Sequence, residues 1–200
     1  MQTSTKFAIL VPTKFEAQLV PEKIRNKNFF VISGILKLTT SKIRTLTNKE
    51  GIKKIILLGF AGDLSGQKKA GELFNINSVT NKKEIIQLKT INELNIPSTS
   101  CLTVTKPVYT EQKRKDLSIY ADLVEMECFW AAKICEEKNI EFYSVRIVSD
   151  SCNTNLCDYF FLKKAPSPDL INAQKKLAET AATIAKLYCL FTLIMVPIFL

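Results

Sequence analysis

Short apolar runs alternate with amphipathic stretches along this chain, and few architectures accept that pattern. Lys6 to Val11 reads as a buried strand closed by Pro12, and Lys53 to Leu58 as another. Phe142 to Val148, interrupted by Ser144 and Arg146, reads as a largely buried strand with Ser149 and Asp150 at its carboxyl end. Between them the spacing predicts helical turns over Phe15 to Val20, a strand within Asn28 to Leu38, and a helix over Thr40 to Lys49 that finishes near Gly51. Gly59 to Leu64 is a glycine turn, and Glu72 to Val79 is extended. Leu102 to Thr105 and Ala121 to Val124 are short strands, and Thr110 to Tyr120 and Cys128 to Lys138 are helices. Residues 80 to 100 are polar and carry no clear period. Strands and helices in alternation fold as α/β, a mixed and mainly parallel central sheet wrapped by helices, with ligands held where the strands end. At 200 residues, 46% of them apolar, one domain is expected.

The chemistry open to this chain is narrowed by what it lacks. It contains no histidine, which removes the commonest general base, the usual zinc ligand and any serine–histidine or cysteine–histidine pair. Its six cysteines form no C-x-x-C pair, so they read as small buried apolar residues, and no metal site or cofactor is expected. No charged and apolar leader opens the chain, so a reducing cytoplasm is the expected compartment. The net charge of +9 comes from scattered pairs and triplets such as Lys53-Lys54, Lys68-Lys69 and Lys113-Arg114-Lys115, read as solvated faces. No aromatic single-strand platform, zinc finger or long basic helix accompanies them, so nucleic acid is not an expected partner. The segment 181–200 is set apart from the domain 1–180 by its apolar character. It reads as a core or subunit-interface helix continuing from Asp169 to Lys186; a membrane anchor is the alternative, with Lys186 counting against it.

Carboxylates remain to carry any catalysis. Two acidic clusters stand out: Glu125-Met126-Glu127 just before a helix, and Ser149-Asp150 at a strand end, so that both can face one crevice. Together with Ile9-Leu10-Val11-Pro12 and Glu16, the turn Gly59-Phe60-Ala61-Gly62-Asp63-Leu64, and Ala70-Gly71-Glu72, they occur in the order seen in the nucleoside phosphorylase and nucleosidase family. Residues 6 to 160 most resemble the methylthioadenosine/S-adenosylhomocysteine nucleosidases and futalosine hydrolases. The resemblance implies a nucleoside phosphorylase-like fold, a cofactor-free reaction on a small-molecule purine nucleoside, and a homodimer. It implies Asp150 as the general acid at purine N7, helped by Ser149, and Glu16 as the base that activates water. Glu127 would accept from ribose hydroxyls with Met126 against the sugar, and Glu125, Ala61, Gly62 and Tyr109 complete the implied substrate contacts. An oxocarbenium-like sugar gives carboxylates a purpose without histidine.

Each residue also has a plainer reading. Glu16 serves equally as an acid in a helix's first turn, Asp150 as a turn cap, and Glu125 as a lysine's partner or a surface residue. Met126 and Phe129 fit a core stripe. Two departures from the family pattern bear on the reaction. Leu36 stands where a second glycine after Gly34 is usual, and Asp63 where a small residue is usual; both weigh against a phosphate site. Val108 and Tyr109 are the local stand-ins for the wall that stacks on the purine. Hydrolysis is the expected reaction. A phosphate-dependent phosphorylase and a non-catalytic nucleoside-binding or interaction protein are the alternatives.

Overall fold

The computed structural model describes residues 6–27, 29–150 and 165–193. Three strands form its centre: β1 (Phe7–Val11), β3 (Lys54–Asp63) and β8 (Glu141–Asp150). They run parallel, with Ile9 opposite Ile56 and Ile56 opposite Tyr143. Alternate residues of these strands go to opposite faces of the sheet. Ala8, Leu10, Ile55, Leu57 and Val148 pack with Ile43 and Leu46 of helix α2 (Lys37–Glu50) and with Phe129 and Ala132 of helix α4 (Cys128–Glu137). Ile9, Val11, Ile56, Leu58, Val145 and Ile147 pack on the other face with Ala173, Leu177, Ala181 and Ile184 of the last helix, α5 (Pro168–Leu193). Both faces are covered, which is why these strands are apolar at consecutive positions.

The remaining strands are β2 (Phe30–Ile32), β4 (Leu73–Thr80), β5 (Ile85–Gln87), β6 (Ser98–Thr103) and β7 (Leu123–Glu125). β2 lies beside β1. β8 continues from β3 to an antiparallel pairing with β4, β4 pairs β6, β6 pairs β7, and β7 returns antiparallel to the end of β3. The ladder therefore closes a ring of five strands, β3, β8, β4, β6 and β7, with β1 and β2 as an outer wing and β5 on the far edge. The mixed, mainly parallel sheet with helices around it is the expected fold class.

Several local readings change. Phe15 to Val20 forms turns, and a helix begins only after Pro21, as the single turn α1 (Glu22–Arg25). The reason is Glu16, whose carboxylate reaches back to Thr13 and across to β3, so the segment serves the site instead of propagating. Helix α2 starts at Lys37, earlier than its polar pattern suggests, and ends at Gly51 in the left-handed region. The unassigned stretch 80–100 holds β5, a short 3₁₀ turn and the start of β6. The charged helix is shorter than expected, α3 (Glu111–Leu117), begun by Thr110, whose side chain accepts the Lys113 amide.

Helix α5 runs unbroken through Lys186, with Ala181 and Ile184 buried against the sheet. Among the described residues no helix is long and apolar enough to cross a membrane. Cys101, Cys128 and Cys135 are buried thiols as expected, whereas Cys152, Cys157 and the Cys189 side chain lie outside the described residues.

Candidate active site

Residues at the carboxyl ends of β1, β3, β7 and β8 line one cavity of about 510 Å³. Pro12, Thr13 and Glu16 come from the turn after β1, and Ala61 and Gly62 from the end of β3. Val124 to Glu127 come from β7 and the entry to α4, and Ser149 and Asp150 from the end of β8. Phe15, Phe60, Val108 and Tyr109 add apolar and aromatic wall. All nine residues singled out from the sequence, Glu16, Ala61, Gly62, Tyr109, Glu125, Met126, Glu127, Ser149 and Asp150, line this one space.

Glu16 is held by a capping box formed with Thr13. Thr13 donates its amide at 2.9 Å and its hydroxyl at 2.7 Å to Oε2, and the Glu16 amide donates back to Thr13 Oγ1. Oε1 accepts the Phe60 amide of β3 at 2.8 Å. Glu16 is therefore a buried lining residue within a run of turns, and not the surface acid in a helix's first turn of its plainer reading. Burial raises its pKa above the usual carboxylate value, although the Phe60 and Thr13 hydrogen bonds and the charge of Arg146 pull the other way.

Glu125 is neither exposed nor paired with a lysine. Its Oε2 accepts the amides of Glu127 and Cys128, each at 2.7 Å, which caps the start of α4, and it accepts from Arg146 Nη2 at 2.5 Å; Oε1 accepts from the Thr103 hydroxyl. The carboxylate charge sits where the helix dipole favours it. Arg146 lies fully buried in β8, 3.9 Å from Glu127 Oε2, and its Nε and Nη1 have no hydrogen-bond partner among the described residues. Burial works to depress the guanidinium, and Glu125 more than reverses that, leaving its pKa raised. Glu127 is pushed well above the usual range by burial first and by the Glu125 charge second, with Arg146 opposing. The closest approach in the cluster is at Gly59, where a Cβ would stand 2.5 Å from Arg146 Nη1 and 3.0 Å from Glu16 Oε1. Only glycine lets both side chains occupy that place.

At the opposite end, Asp150 accepts from the Ser149 hydroxyl at 2.6 Å and forms a buried ion pair with Arg114 of α3. Arg114 overturns the reading of Lys113-Arg114-Lys115 as a wholly solvated run, since it is 1% exposed. Asp63 turns away from the cavity and accepts the Ser65 and Lys68 amides. Among the described residues no three His, Cys, Asp or Glu side chains converge as a metal site.

The two arginines are what sequence reasoning missed. Arg146 left a signal, because a charge inside an otherwise apolar strand needs a buried acid. Arg114 left a weaker one. It stands three before Leu117 and seven before Ala121, both buried, so the helical period puts it on the inward stripe.

No protein-family model matches the sequence, and no curated protein matches it. Among solved structures the fold has clear counterparts. The methylthioadenosine/S-adenosylhomocysteine nucleosidase of Campylobacter jejuni superposes with a TM-score of 0.72 at 18% identity, over 92% of this chain and 98% of that one. That of Neisseria meningitidis, in complex with methylthio-immucillin-A, gives 0.72 at 16% identity over 91% and 99%. A futalosine hydrolase mutant of Helicobacter pylori gives 0.70 at 16% over 90% and 96%. The chain thus has the fold that these nucleosidases share.

Proposed function

We propose that this protein hydrolyses the N-glycosidic bond of a purine nucleoside or thionucleoside of the methylthioadenosine type, releasing the free base. The observation that carries the reading is the convergence of the buried carboxylates Glu16, Glu127 and Asp150, from three separate strand ends, on one cavity walled by Phe60, Val108 and Tyr109. A water in the cavity beside Glu16 donates one hydrogen to its carboxylate. Glu16, with its raised affinity for protons, takes the water's proton as oxygen bonds to the anomeric carbon. The bond from that carbon to the base breaks, its electron pair leaves on the base, and Asp150 as general acid gives the base its proton at N7. Glu127 accepts from ribose hydroxyls, Met126 packs on the sugar, and the carboxylates offset the positive charge that develops on it. Val108 and Tyr109 wall the base, whose imidazole edge faces Asp150 and Ser149.

Water is favoured over phosphate as the attacking group. Arg114 is the one cation among the described lining residues, and it is ion-paired to Asp150 while Glu16, Glu125 and Glu127 bring negative charge. A second copy covering the open side at Ile35, which lines the cavity and is 41% exposed, is the assembly this reading takes, and light scattering reads it directly. The deciding experiment incubates the protein with methylthioadenosine, S-adenosylhomocysteine, adenosine and inosine, with and without phosphate, and follows free purine by chromatography. Purine released without phosphate, and lost in Glu16→Gln, supports hydrolysis. Release only with phosphate makes the protein a phosphorylase, and release from no substrate sinks the catalytic reading.

A further inference from the structure

Helix α5 is longer than the sheet it covers. It begins at the cavity, where Leu170 is part of the lining, and runs against the direction of the central strands to Tyr188, which lies beside Phe7, the first residue of β1. The other two central strands start at the same level, with Phe7 opposite Lys54 and Lys54 opposite Glu141. The helix then continues past Tyr188 to Leu193, about 7 Å further at 1.5 Å per residue, beyond the point where those strands begin. There the sequence loses its charges: from Cys189 to Leu200 every residue but Thr192 and Pro197 is apolar. Burial against the sheet accounts for Ala173, Leu177, Ala181 and Ile184, but the sheet has ended where this apolar segment starts.

Lysines surround that end of α5. Lys6 and Lys53 directly precede β1 and β3, Lys27 stands just before β2, and Lys186 is on the helix itself; all four are exposed. The Lys53 amide donates to the Lys6 carbonyl at 2.9 Å, and Phe29 stacks on Phe7 with ring centroids 4.9 Å apart, which gathers these lysines at one end of the sheet. Of the acids there, Glu141 is bridged by Lys54 at 3.1 Å and Lys89 at 3.7 Å. Glu50, Glu93, Glu136 and Glu137 are outnumbered once Lys49 and Lys138 join the four exposed lysines. An apolar segment framed by lysines and a tyrosine suits the boundary between water and lipid, where apolar burial and attraction to acidic headgroups add. The twelve residues from Cys189 to Leu200 are fewer than the roughly 20 that a crossing helix needs, so they fit one leaflet. We propose that residues 189–200 insert into the surface of an anionic phospholipid bilayer, with Lys6, Lys27, Lys53 and Lys186 against its headgroups. The cavity lies at the carboxyl ends of the strands, so it faces away from the lipid and stays open to water-borne substrate. The proposal holds whichever reaction that cavity performs.

The test is flotation of the full chain with vesicles of phosphatidylcholine alone and of phosphatidylcholine mixed with phosphatidylglycerol, at low and high salt. The wild type is expected to float with the mixed vesicles, and its binding to fall at least tenfold on phosphatidylcholine alone and to weaken in high salt. Replacing Lys6, Lys27 and Lys53 by Gln, singly and together, lowers the binding to mixed vesicles by about fivefold for each lysine removed. These are exposed positions, so circular dichroism and melting temperature stay at the wild-type values. The double variant Leu193→Glu with Ile194→Glu abolishes flotation with either vesicle; should it not fold, the lysine series still decides the matter. A wild type that stays unbound on mixed vesicles overturns the proposal, as does equal binding to both vesicles or a lysine series without effect. Light scattering of the lipid-free protein identifies the rival occupant. An oligomer that the double variant dissociates, together with absent flotation, makes the segment a contact between copies and overturns the lipid assignment. Vesicle binding is read without any nucleoside, so its failure and that of the nucleosidase reading are seen separately.

Discussion

Glu16 accepts three hydrogen bonds and yet holds its proton more tightly than a carboxylate in water, because burial outweighs them. In its proposed role as base it would work only when ionised, so kcat is expected to fall on the acid side of a pKa displaced upward from 4.5. Glu16→Gln should lower kcat by about 10²–10⁴-fold with little change in circular dichroism. Glu127 gives a stability prediction. Its pKa is raised in the fold, so the folded chain binds a proton that the unfolded chain releases sooner. Stability from that difference is complete below 4.5 and is lost as pH rises through the higher folded value. Calorimetry should find the wild type melting progressively lower across that window. Glu127→Gln should show a flatter profile and melt a few degrees higher at the alkaline end, even as turnover falls. A steeper profile in the variant would remove the burial argument.

At the scale of elements, three short devices hold the cluster: the capping box after β1, the cap that Glu125 places on α4, and the glycine in β3 beneath Arg146. Gly59→Ala adds one methyl that must displace Nη1 of Arg146 or Oε1 of Glu16. Because Glu125 pins the arginine, activity is expected to drop more than tenfold while the melting temperature moves by only a few degrees; wild-type turnover in the variant would show that the cluster has slack. Glu125→Ala removes the cap and leaves Arg146 without its nearest counter-charge, at a cost of about 3–5 kcal/mol in urea unfolding. How much of this could be read beforehand differs by element. The three central strands were legible because both their faces are buried and their apolar runs are continuous. The turns at Phe15 to Val20 were not, since the same residues suit a helix until the carboxylate of Glu16 is claimed by β3 across 44 positions of sequence. Glu125 was misjudged for a related reason, because its partner Arg146 comes from a strand 21 positions on. The acids could be named from the sequence, but the cations that neutralise them belong to tertiary structure.

Across the whole molecule, the sheet is covered by α2 and α4 on one face and α5 on the other, and the second cover depends on a single helix. Leu177 is fully buried beneath it, so Leu177→Ala should cost about 2–5 kcal/mol, measured by urea unfolding. An effect below 1 kcal/mol would mean that α5 contributes little to the core. Tyr188 lies beside Phe7, with ring centroids 5.3 Å apart, and receives Lys54 on its face at 4.5 Å, which ties the later turns of α5 to the start of β1. Charge is divided over the same scale. The chain carries +9 overall, yet its cavity holds four carboxylates and one cation among the described lining residues.

The pairing of β3 with β8 keeps step from Lys54 to Ala61 and then slips by one, so that Gly62 faces Asp150 and Ser149 is passed over. That slip sets Ser149 and Asp150, neighbours in sequence, on the same cavity, and it makes the pair depend on one extra residue. Removing Ser149, the one residue between Val148 and Asp150, would restore the ladder with the aspartate still opposite Gly62 but without the hydroxyl that donates to it, whereas changes of length in the 80s, at the far edge of the sheet, would leave both in place. A lineage carrying this fold can lengthen its rim freely and still be held to the letter at this one strand end.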